Sequence, residues 1–319
     1  MLNLNLLKTD QWKHRRLHQE DKWKNAHWLE KFNKSLDKIS GDFDGSISYY
    51  DGPFLNYPNN KINSNTDKRL EYCENTPVFY HFKLVPNGYF LYDYNPMYLY
   101  RDHFIDDDIL SCTYSFDVNK YEQPLLNIDI NYPFILFPLQ SLNDRNCVIK
   151  IVEIIKWAEK NETHIVFKKH PFNDKNSHVD SLFYRLQESN KITKYTTVVE
   201  SDVNTDYLLE QCFAVWTFSS GVGFQSLLKE KPVSIFSKDH YYVDYAPVAK
   251  ICNTPDEAFD NTFDLTDTKR FLSWYYHTFI LDISNKDFEE KLYNRLKMYF
   301  KDGKNVDELF GPVATSNHR

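Results

Sequence analysis

The stretch Cys212–Phe236, CFAVWTFSSGVGFQSLLKEKPVSIF, combines a short apolar run, a turn of small residues and a helical pattern. The run 213–217 has the length of a buried strand in a parallel sheet. Ser219-Ser220-Gly221 then allow a sharp turn and place hydroxyl groups at a helix N-terminus. Apolar residues recur with helical spacing over 222–229, and the run 233–236 predicts the next strand.

This strand–turn–helix–strand unit has two interpretations. Free N–H groups at the helix N-terminus, with hydroxyls beside them, would bind a phosphate or carboxylate group. Alternatively, the unit is an ordinary crossover whose serines only cap the helix. The stretch by itself favours neither interpretation.

The same alternation begins near residue 128 and covers the second half of the chain. Apolar runs predict strands at 134–137, 164–167 and 197–199. Helical patterns follow these strands at 147–159, 177–189 and 203–211. Strands that alternate with helices of this length predict a doubly wound α/β domain with a parallel sheet.

Polar residues follow several of these strands, at what would be their carboxyl ends. Right-handed crossovers bring such ends to one edge of the sheet, where folds of this kind hold their functional groups. The residues expected to converge there are Gln140, Asp144, Lys168, Lys169, His170, Ser219 and Ser220.

The chemistry of these side chains suits a nucleotide-linked sugar donor. His170 and one lysine can bind a phosphate from one side, while Ser219 and Ser220 bind it from the other. Asp144 can act as a base or as a nucleophile at an anomeric carbon. Simpler interpretations exist, because His170 before Pro171 can be fixed in a turn and Asp144 can cap the next helix. Several such groups at one edge favour the functional interpretation.

The composition limits the classes of protein to which this chain can belong. The chain of 319 residues has a formal net charge of −7, which argues against general nucleic-acid binding. Its five cysteines form no CxxC pair, which indicates reduced thiols rather than disulfides or a zinc site. The sequence has neither a signal-peptide pattern nor an apolar run long enough to span a membrane. We therefore expect a cytoplasmic protein without a metal site.

The first 128 residues are predicted to form a separate domain. Residues 10–39 suggest amphipathic helices with a basic, tryptophan-bearing face, which either touches an anionic membrane or glycan or packs on the body. Short strands are predicted at 78–82 and 89–92. The Tyr- and Asp-rich residues 89–108 suit sugar recognition as well as an irregular aromatic core.

Beyond residue 255 the pattern is mostly helical. The aromatic run 271–280 and the amphipathic residues 288–299 predict helices, and the tail from Lys301 is expected to be loose. The predicted division of the chain is 1–128, a Rossmann-like domain over 129–265, and C-terminal helices over 266–319.

Three motifs in this order resemble those of the capsule polysaccharide synthesis proteins. They are Phe137-Pro138-Leu139-Gln140 with Asp144, then Lys169-His170-Pro171, then Ser219 to Phe224 followed by Leu227-Leu228 and Lys231-Pro232-Val233. The resemblance covers about residues 130–245. That family includes the retaining β-Kdo transferases, which build the lipid-linked Kdo linker of bacterial capsules.

The resemblance implies a GT-B-like fold with two Rossmann-like domains, a reduced N-terminal acceptor-side domain and C-terminal helices that pack back. It implies that Asp144, beside Gln140, is the nucleophile of a double displacement, and that His170 contacts the donor phosphate. The residues implied to bind the donor are Lys168, Lys169, His170, Pro171, Ser219, Ser220 and Gly221. The implied donor is CMP-Kdo, with no metal or other cofactor, because a histidine and a helix terminus can neutralise one phosphate.

We therefore expect a glycosyltransferase of capsule or surface-polysaccharide synthesis, with a nucleotide-sugar donor and a glycan or glycolipid acceptor. Its expected place is the cytoplasm, with peripheral contact at the inner membrane face and no binding of nucleic acid. One alternative is another sugar-nucleotide enzyme on the same scaffold, such as a 2-epimerase or a polyol-phosphate transferase. A further alternative is a non-catalytic glycan-binding relative, which the short N-terminal part would suit.

Overall fold

The computed structural model describes residues 5–7, 26–43, 46–49, 69–74, 81–86, 99–111, 126–139, 145–170, 178–188, 193–237 and 243–311. The chain divides into two compact units. Unit 1 combines Met1–Phe116 with Lys269–Arg319, and unit 2 is Asp117–Thr268.

The elements follow one another along the chain in three groups. The first group is β1 (Asn5–Leu7), α1 (Ala26–Ile39), β2 (Ser46–Tyr49), β3 (Arg69–Glu74) and β4 (His81–Pro86). The second group is β5 (Phe134–Pro138), α2 (Arg145–Lys160), β6 (His164–Lys168), α3 (His178–Glu188), β7 (Thr196–Val199), α4 (Thr205–Gln211), β8 (Ala214–Thr217), α5 (Val222–Leu228), β9 (Val233–Ile235), β10 (Lys250–Ile251) and α6 (Pro255–Phe259). The last group is α7 (Leu265–Trp274), a π-helical turn (Tyr275–Phe279), β11 (Ile280–Asp282), α8 (Phe288–Leu296), a second π-helical turn (Lys297–Lys301) and α9 (Val306–Phe310).

Unit 2 is built on a sheet of six strands in the order β10-β9-β8-β5-β6-β7, and every pairing in it is parallel. Counted from β5, this order is 3-2-1-4-5-6, the arrangement of doubly wound dinucleotide-binding domains. The predicted doubly wound sheet is therefore confirmed. In such sheets ligands bind beyond the carboxyl ends of the strands, at the point where the strand order reverses. Here that point lies between β5 and β8, which are neighbours in the sheet.

The continuous apolar runs of the sequence are explained by burial on both faces of this sheet. All five residues of β5 are buried. Ile135 and Phe137 belong to the core cluster on one face, while Phe134 and Leu136 belong to the cluster on the other. Each such side chain contributes about 1.5–3 kcal/mol when it is removed from water, so the middle strand stabilises both layers of helices.

Unit 1 contains a mixed sheet in the order β1-β2-β3-β4-β11. Strands β1, β2 and β3 are parallel, and β4 is antiparallel to both β3 and β11. Its core joins Phe32 and Leu36 of α1 to Leu292 and Leu296 of α8. The C-terminal helices thus pack back on the N-terminal part, and the two α/β units agree with the GT-B-like expectation.

Residues 78–80 of the strand predicted at 78–82 lie outside the described residues, and residues 81 and 82 lie in β4, which continues to Pro86. Two predictions for unit 1 need correction. The helix predicted over 271–280 gives way to β11 at its end, because Ile280 pairs with Lys83 of β4. The tail expected to be loose from Lys301 contains α9, whose capping box and buried Phe310 hold it in place.

Some predictions fall outside the described residues. These are the basic helical stretch before residue 26, the strand at 89–92 and most of the Tyr- and Asp-rich segment. Among the described residues, none of the helices has the length and apolar character needed to cross a membrane.

Candidate functional site

The candidate site lies at the carboxyl edge of the unit 2 sheet. Leu139 follows β5, Lys169 follows β6 and Phe218 follows β8, so the three motif loops leave this edge next to one another. The Leu139 N–H donates to the Lys168 carbonyl at 2.8 Å, which ties the end of β5 to the end of β6. The site is thus assembled by parallel strand pairing between segments that are distant in sequence.

The loop after β8 forms a tight turn around Ser220. The Ser220 N–H donates to Thr217 Oγ1 at 3.0 Å, and the Val222 N–H donates to Ser220 Oγ at 3.3 Å. The Gly223 N–H donates to the Ser220 carbonyl at 3.0 Å. These two N–H groups of α5 already have acceptors within the turn, so an anion bound here would need other donors, such as the hydroxyls of Ser219 and Ser220. Both serines are partly exposed.

A segment after β9 packs against this turn through Tyr245. Tyr245 is buried, and its hydroxyl donates to the Ser220 carbonyl at 2.5 Å. Its ring lies against Gly223, where an added Cβ would approach ring atoms to 2.4 Å. Burial raises the pKa of the Tyr245 phenol far above its ordinary value, so the hydroxyl remains a donor across the physiological pH range.

Two lysines at the end of β6 point toward the loop after β7. Lys168 is buried, and its ammonium donates to the Ser201 carbonyl at 2.9 Å. Burial lowers the pKa of Lys168 to about 8, which leaves its charge largely present at pH 7. Lys169 pairs with Glu200 at 2.8 Å on the surface. Both lysines therefore have protein partners on the β7 side, while Ser219 and Ser220 lie beyond β5 on the β8 side.

His170 is partly buried and follows directly on Lys169. Of the predicted site, the structure describes Lys168, Lys169, His170, Ser219, Ser220 and Gly221. Gln140, Asp144 and Pro171 lie outside the described residues. The described members are placed at the carboxyl edge, as the sequence predicted, although the ammonium groups of the two lysines are directed away from the serines.

A cluster of four phenylalanine rings packs at this edge of the sheet. Phe137 contacts Phe218 edge-on at 5.3 Å between ring centroids and Phe167 at the same distance. Phe236 at the end of β9 lies 6.5 Å from the Phe137 ring. The motif loops therefore rest on a rigid apolar layer, as a preorganised site requires.

The described residues contain no group of three or more His, Cys, Asp or Glu side chains arranged to hold a metal ion. Among the described residues, Cys147, Cys212 and Cys252 are buried thiols that form no disulfide. Burial raises the pKa of the Cys212 thiol to about 12, so this group is an unreactive part of the core.

Sequence reasoning missed Thr217 and Tyr245. The sequence predicts Thr217 only as the last residue of an apolar strand, but it is buried with its oxygen facing the Ser220 N–H. Tyr245 lies 25 positions from Ser220 in a segment without periodicity. Only the fold brings Tyr245 to the turn.

Residues 116–244 match the family model described as "Capsule polysaccharide biosynthesis protein". The resemblance to the capsule polysaccharide synthesis proteins is confirmed over this segment. The match covers unit 2 up to residue 244 and includes each of the three motifs. No curated protein matches the chain.

Several solved structures are similar to this chain. The β-Kdo 2,7 transferase of Thermosulfurimonas dismutans KpsC has a TM-score of 0.48 and 14% identity, and the match covers 92% of this chain and 98% of that one. The β-Kdo 2,4 transferase of the same KpsC has a TM-score of 0.44 and 14% identity, with coverages of 72% and 78%. The UDP-GlcNAc 2-epimerase of Methanocaldococcus jannaschii has a TM-score of 0.34 and 17% identity, with 44% of each chain covered. At these scores and identities the fold description rests on the strand order of this chain itself.

Proposed function

We propose that this chain is a glycosyltransferase of capsule or surface-polysaccharide synthesis that transfers Kdo from CMP-Kdo with retention of anomeric configuration. One observation supports the proposal most strongly. The described residues of the three ordered motifs lie at the carboxyl ends of β5, β6 and β8, around the point where the strand order reverses. A sheet of this kind binds nucleotides at that point.

The donor phosphate would be bound by His170 together with the hydroxyls of Ser219 and Ser220. Lys169 is available as well, because its surface ion pair with Glu200 is worth only about 0–1 kcal/mol and is easily exchanged for a phosphate. Lys168 would act as a charge near the site while its ammonium remains bonded to the Ser201 carbonyl. Pro171 and Gly221 would shape the loops. The single phosphate of a CMP-sugar then needs no metal ion.

The transfer would proceed by two displacements. The Asp144 carboxylate, with Gln140 as the second residue of this motif, would attack the anomeric carbon, and CMP would leave with the electrons of the broken C–O bond. An acceptor hydroxyl would then attack the same carbon, release its proton to solvent and displace the carboxylate. Two inversions give retention. The acceptor, a glycan or glycolipid, would be bound by the N-terminal part of the chain, with the protein in the cytoplasm at the inner membrane face.

Calorimetric titration of CMP, CDP, UDP and GDP, each with and without magnesium, tests this proposal. We expect CMP to bind without magnesium and His170→Ala to weaken it at least about tenfold, as loss of a hydrogen bond to a charged group implies. His164→Gln is the matched control, since His164 begins β6 at the opposite edge of the sheet. Asp144→Asn should retain CMP binding and lose transfer from CMP-Kdo.

The other outcomes separate the alternatives. Preference for UDP or GDP would assign the chain to another sugar-nucleotide enzyme, such as a 2-epimerase or a polyol-phosphate transferase. Binding of none of the four nucleotides would favour a non-catalytic glycan-binding protein. Unchanged CMP affinity in His170→Ala would remove that residue from the phosphate site.

A further inference from the structure

Both backbone polar groups of Ser220 are held by buried side chains from outside the turn. Its N–H donates to Thr217 Oγ1 at 3.0 Å, and its carbonyl accepts from the Tyr245 hydroxyl at 2.5 Å. Thr217 is 0% exposed and Tyr245 is 2% exposed. The two peptide groups that flank a candidate donor-binding serine are thus each bonded by a buried side chain, and the Gly223 N–H also donates to the Ser220 carbonyl.

The Tyr245 ring also determines how closely the first turn of α5 approaches. At Gly223 the space for a Cβ atom is already taken by the ring carbon and the hydroxyl oxygen, each 2.4 Å from the ideal position. The tyrosine therefore fits against the turn with its ring and bonds it with its hydroxyl. Thr217 and Tyr245 therefore act on the same residue, one at its N–H and the other at its carbonyl.

We propose that Tyr245 is a positioning residue of the donor site, acting through Ser220 to fix the hydroxyls of Ser219 and Ser220 for the donor phosphate. This role rests on the proposed function and adds a residue that lies outside the family motifs. Ser220 Oγ accepts the Val222 N–H at 3.3 Å, so a shift of the Ser220 peptide also moves the hydroxyl. Misplacement of a binding group by a fraction of an ångström weakens ligand binding markedly.

Tyr245→Phe tests this role because it removes the hydroxyl and retains the ring against Gly223. We expect CMP to bind about tenfold more weakly, with a similar rise in the KM for CMP-Kdo and an unchanged KM for the acceptor. Ser234→Ala is the matched control. Ser234 is equally buried in the neighbouring strand β9 and loses a hydrogen bond to the Ala258 carbonyl of 3.2 Å. The control should lose comparable thermal stability and retain its CMP affinity.

A double-mutant cycle separates positioning from general destabilisation. In a background with Ser219→Ala and Ser220→Ala, Tyr245→Phe should have no further effect on CMP binding, since the hydroxyls that it positions are absent. An additive effect in that background would overturn the proposal, as would equal weakening in Tyr245→Phe and Ser234→Ala. These results would leave the proposed function standing. Absence of CMP binding by the unmodified protein would overturn the proposed function and the role of Tyr245 together.

Discussion

At the scale of single residues, position 223 needs glycine because the Tyr245 ring packs against it. Its own backbone conformation does not require glycine. A side chain at this position would collide with the Tyr245 ring at 2.4 Å. We expect Gly223→Ala to lower the unfolding free energy by about 1–3 kcal/mol, the usual cost of overpacking. Urea unfolding measures this loss, and Gly41→Ala is the control because an added Cβ there meets nothing within 4 Å. Equal stability of the two variants would show that the ring yields at little cost.

Single residues also show how far local sequence patterns reach. Ser219, Ser220 and His170 are predicted as site residues because small residues and an HP pair follow apolar runs, and such signals are local. The partners of Lys168 and the support from Tyr245 were not found, because both arise from contacts between loops at the sheet edge. Local patterns therefore predict which loops carry the site, and tertiary contacts decide which way their side chains point.

At the scale of elements, the parallel sheet of unit 2 was predictable because its strands are buried on both faces and end at turn-forming residues. Strand β11 was not predictable from its own residues. It has three residues, and its partner β4 lies about two hundred positions earlier in the chain. Its aromatic neighbours continue a helical pattern, so only the pairing with β4 distinguishes strand from helix there. Long-range pairing of short strands leaves little trace in local sequence.

The turn over residues 99–111 gives unit 1 a pH dependence. His103 is buried, with Nε2 3.1 Å from Thr278 Oγ1 and Nδ1 3.0 Å from the Phe104 carbonyl. Burial lowers the pKa of His103 below its ordinary 6.5; the bond to Phe104 opposes this shift and the nearby His277 adds to it. His103 therefore binds a proton more readily in the unfolded chain than in the folded chain. As pH falls below 6.5, the unfolding free energy of unit 1 should fall.

Hydrogen exchange of residues 271–281 at pH 7.5 and 5.5 measures this effect. We expect the loss of protection at pH 5.5 to be smaller in His103→Asn than in the unmodified protein. The pKa of Asp106 is lowered by its hydrogen bond from His277. The stability that this carboxylate contributes is therefore lost only when the pH falls below the ordinary pKa of an aspartate. Asp106→Asn should therefore leave the difference between the two pH values nearly unchanged. An identical pH response in His103→Asn and the unmodified protein would contradict the assignment.

At the scale of the whole molecule, the C-terminal segment completes unit 1. Residues 269–319 belong to this unit, and Arg295 of α8 contacts several parts of the segment. Its guanidinium donates to the carbonyls of Thr278 at 2.6 Å and Phe279 at 3.3 Å, and lies 4.7 Å from the centre of the Phe310 ring. Burial lowers the pKa of Arg295 to about 10, and the described residues form no ion pair with it. The Arg295 side chain thus connects α8 to the first π-helical turn, Tyr275–Phe279, and to α9.

Arg295→Ala should therefore destabilise unit 1 beyond the loss of one contact. It leaves buried carbonyls without a donor, at about 1–3 kcal/mol each, and removes the contact to Phe310. Arg295→Lys should recover only part of this loss, because one ammonium cannot reproduce the planar fork of donors. Lys291→Ala, which removes an exposed pair with Asp287 on the same helix, should change stability by less than about 1 kcal/mol. Urea unfolding of the three variants measures these differences. If Arg295→Lys were as stable as the unmodified protein, charge alone would hold the C-terminal segment, and the geometry of the guanidinium would not matter.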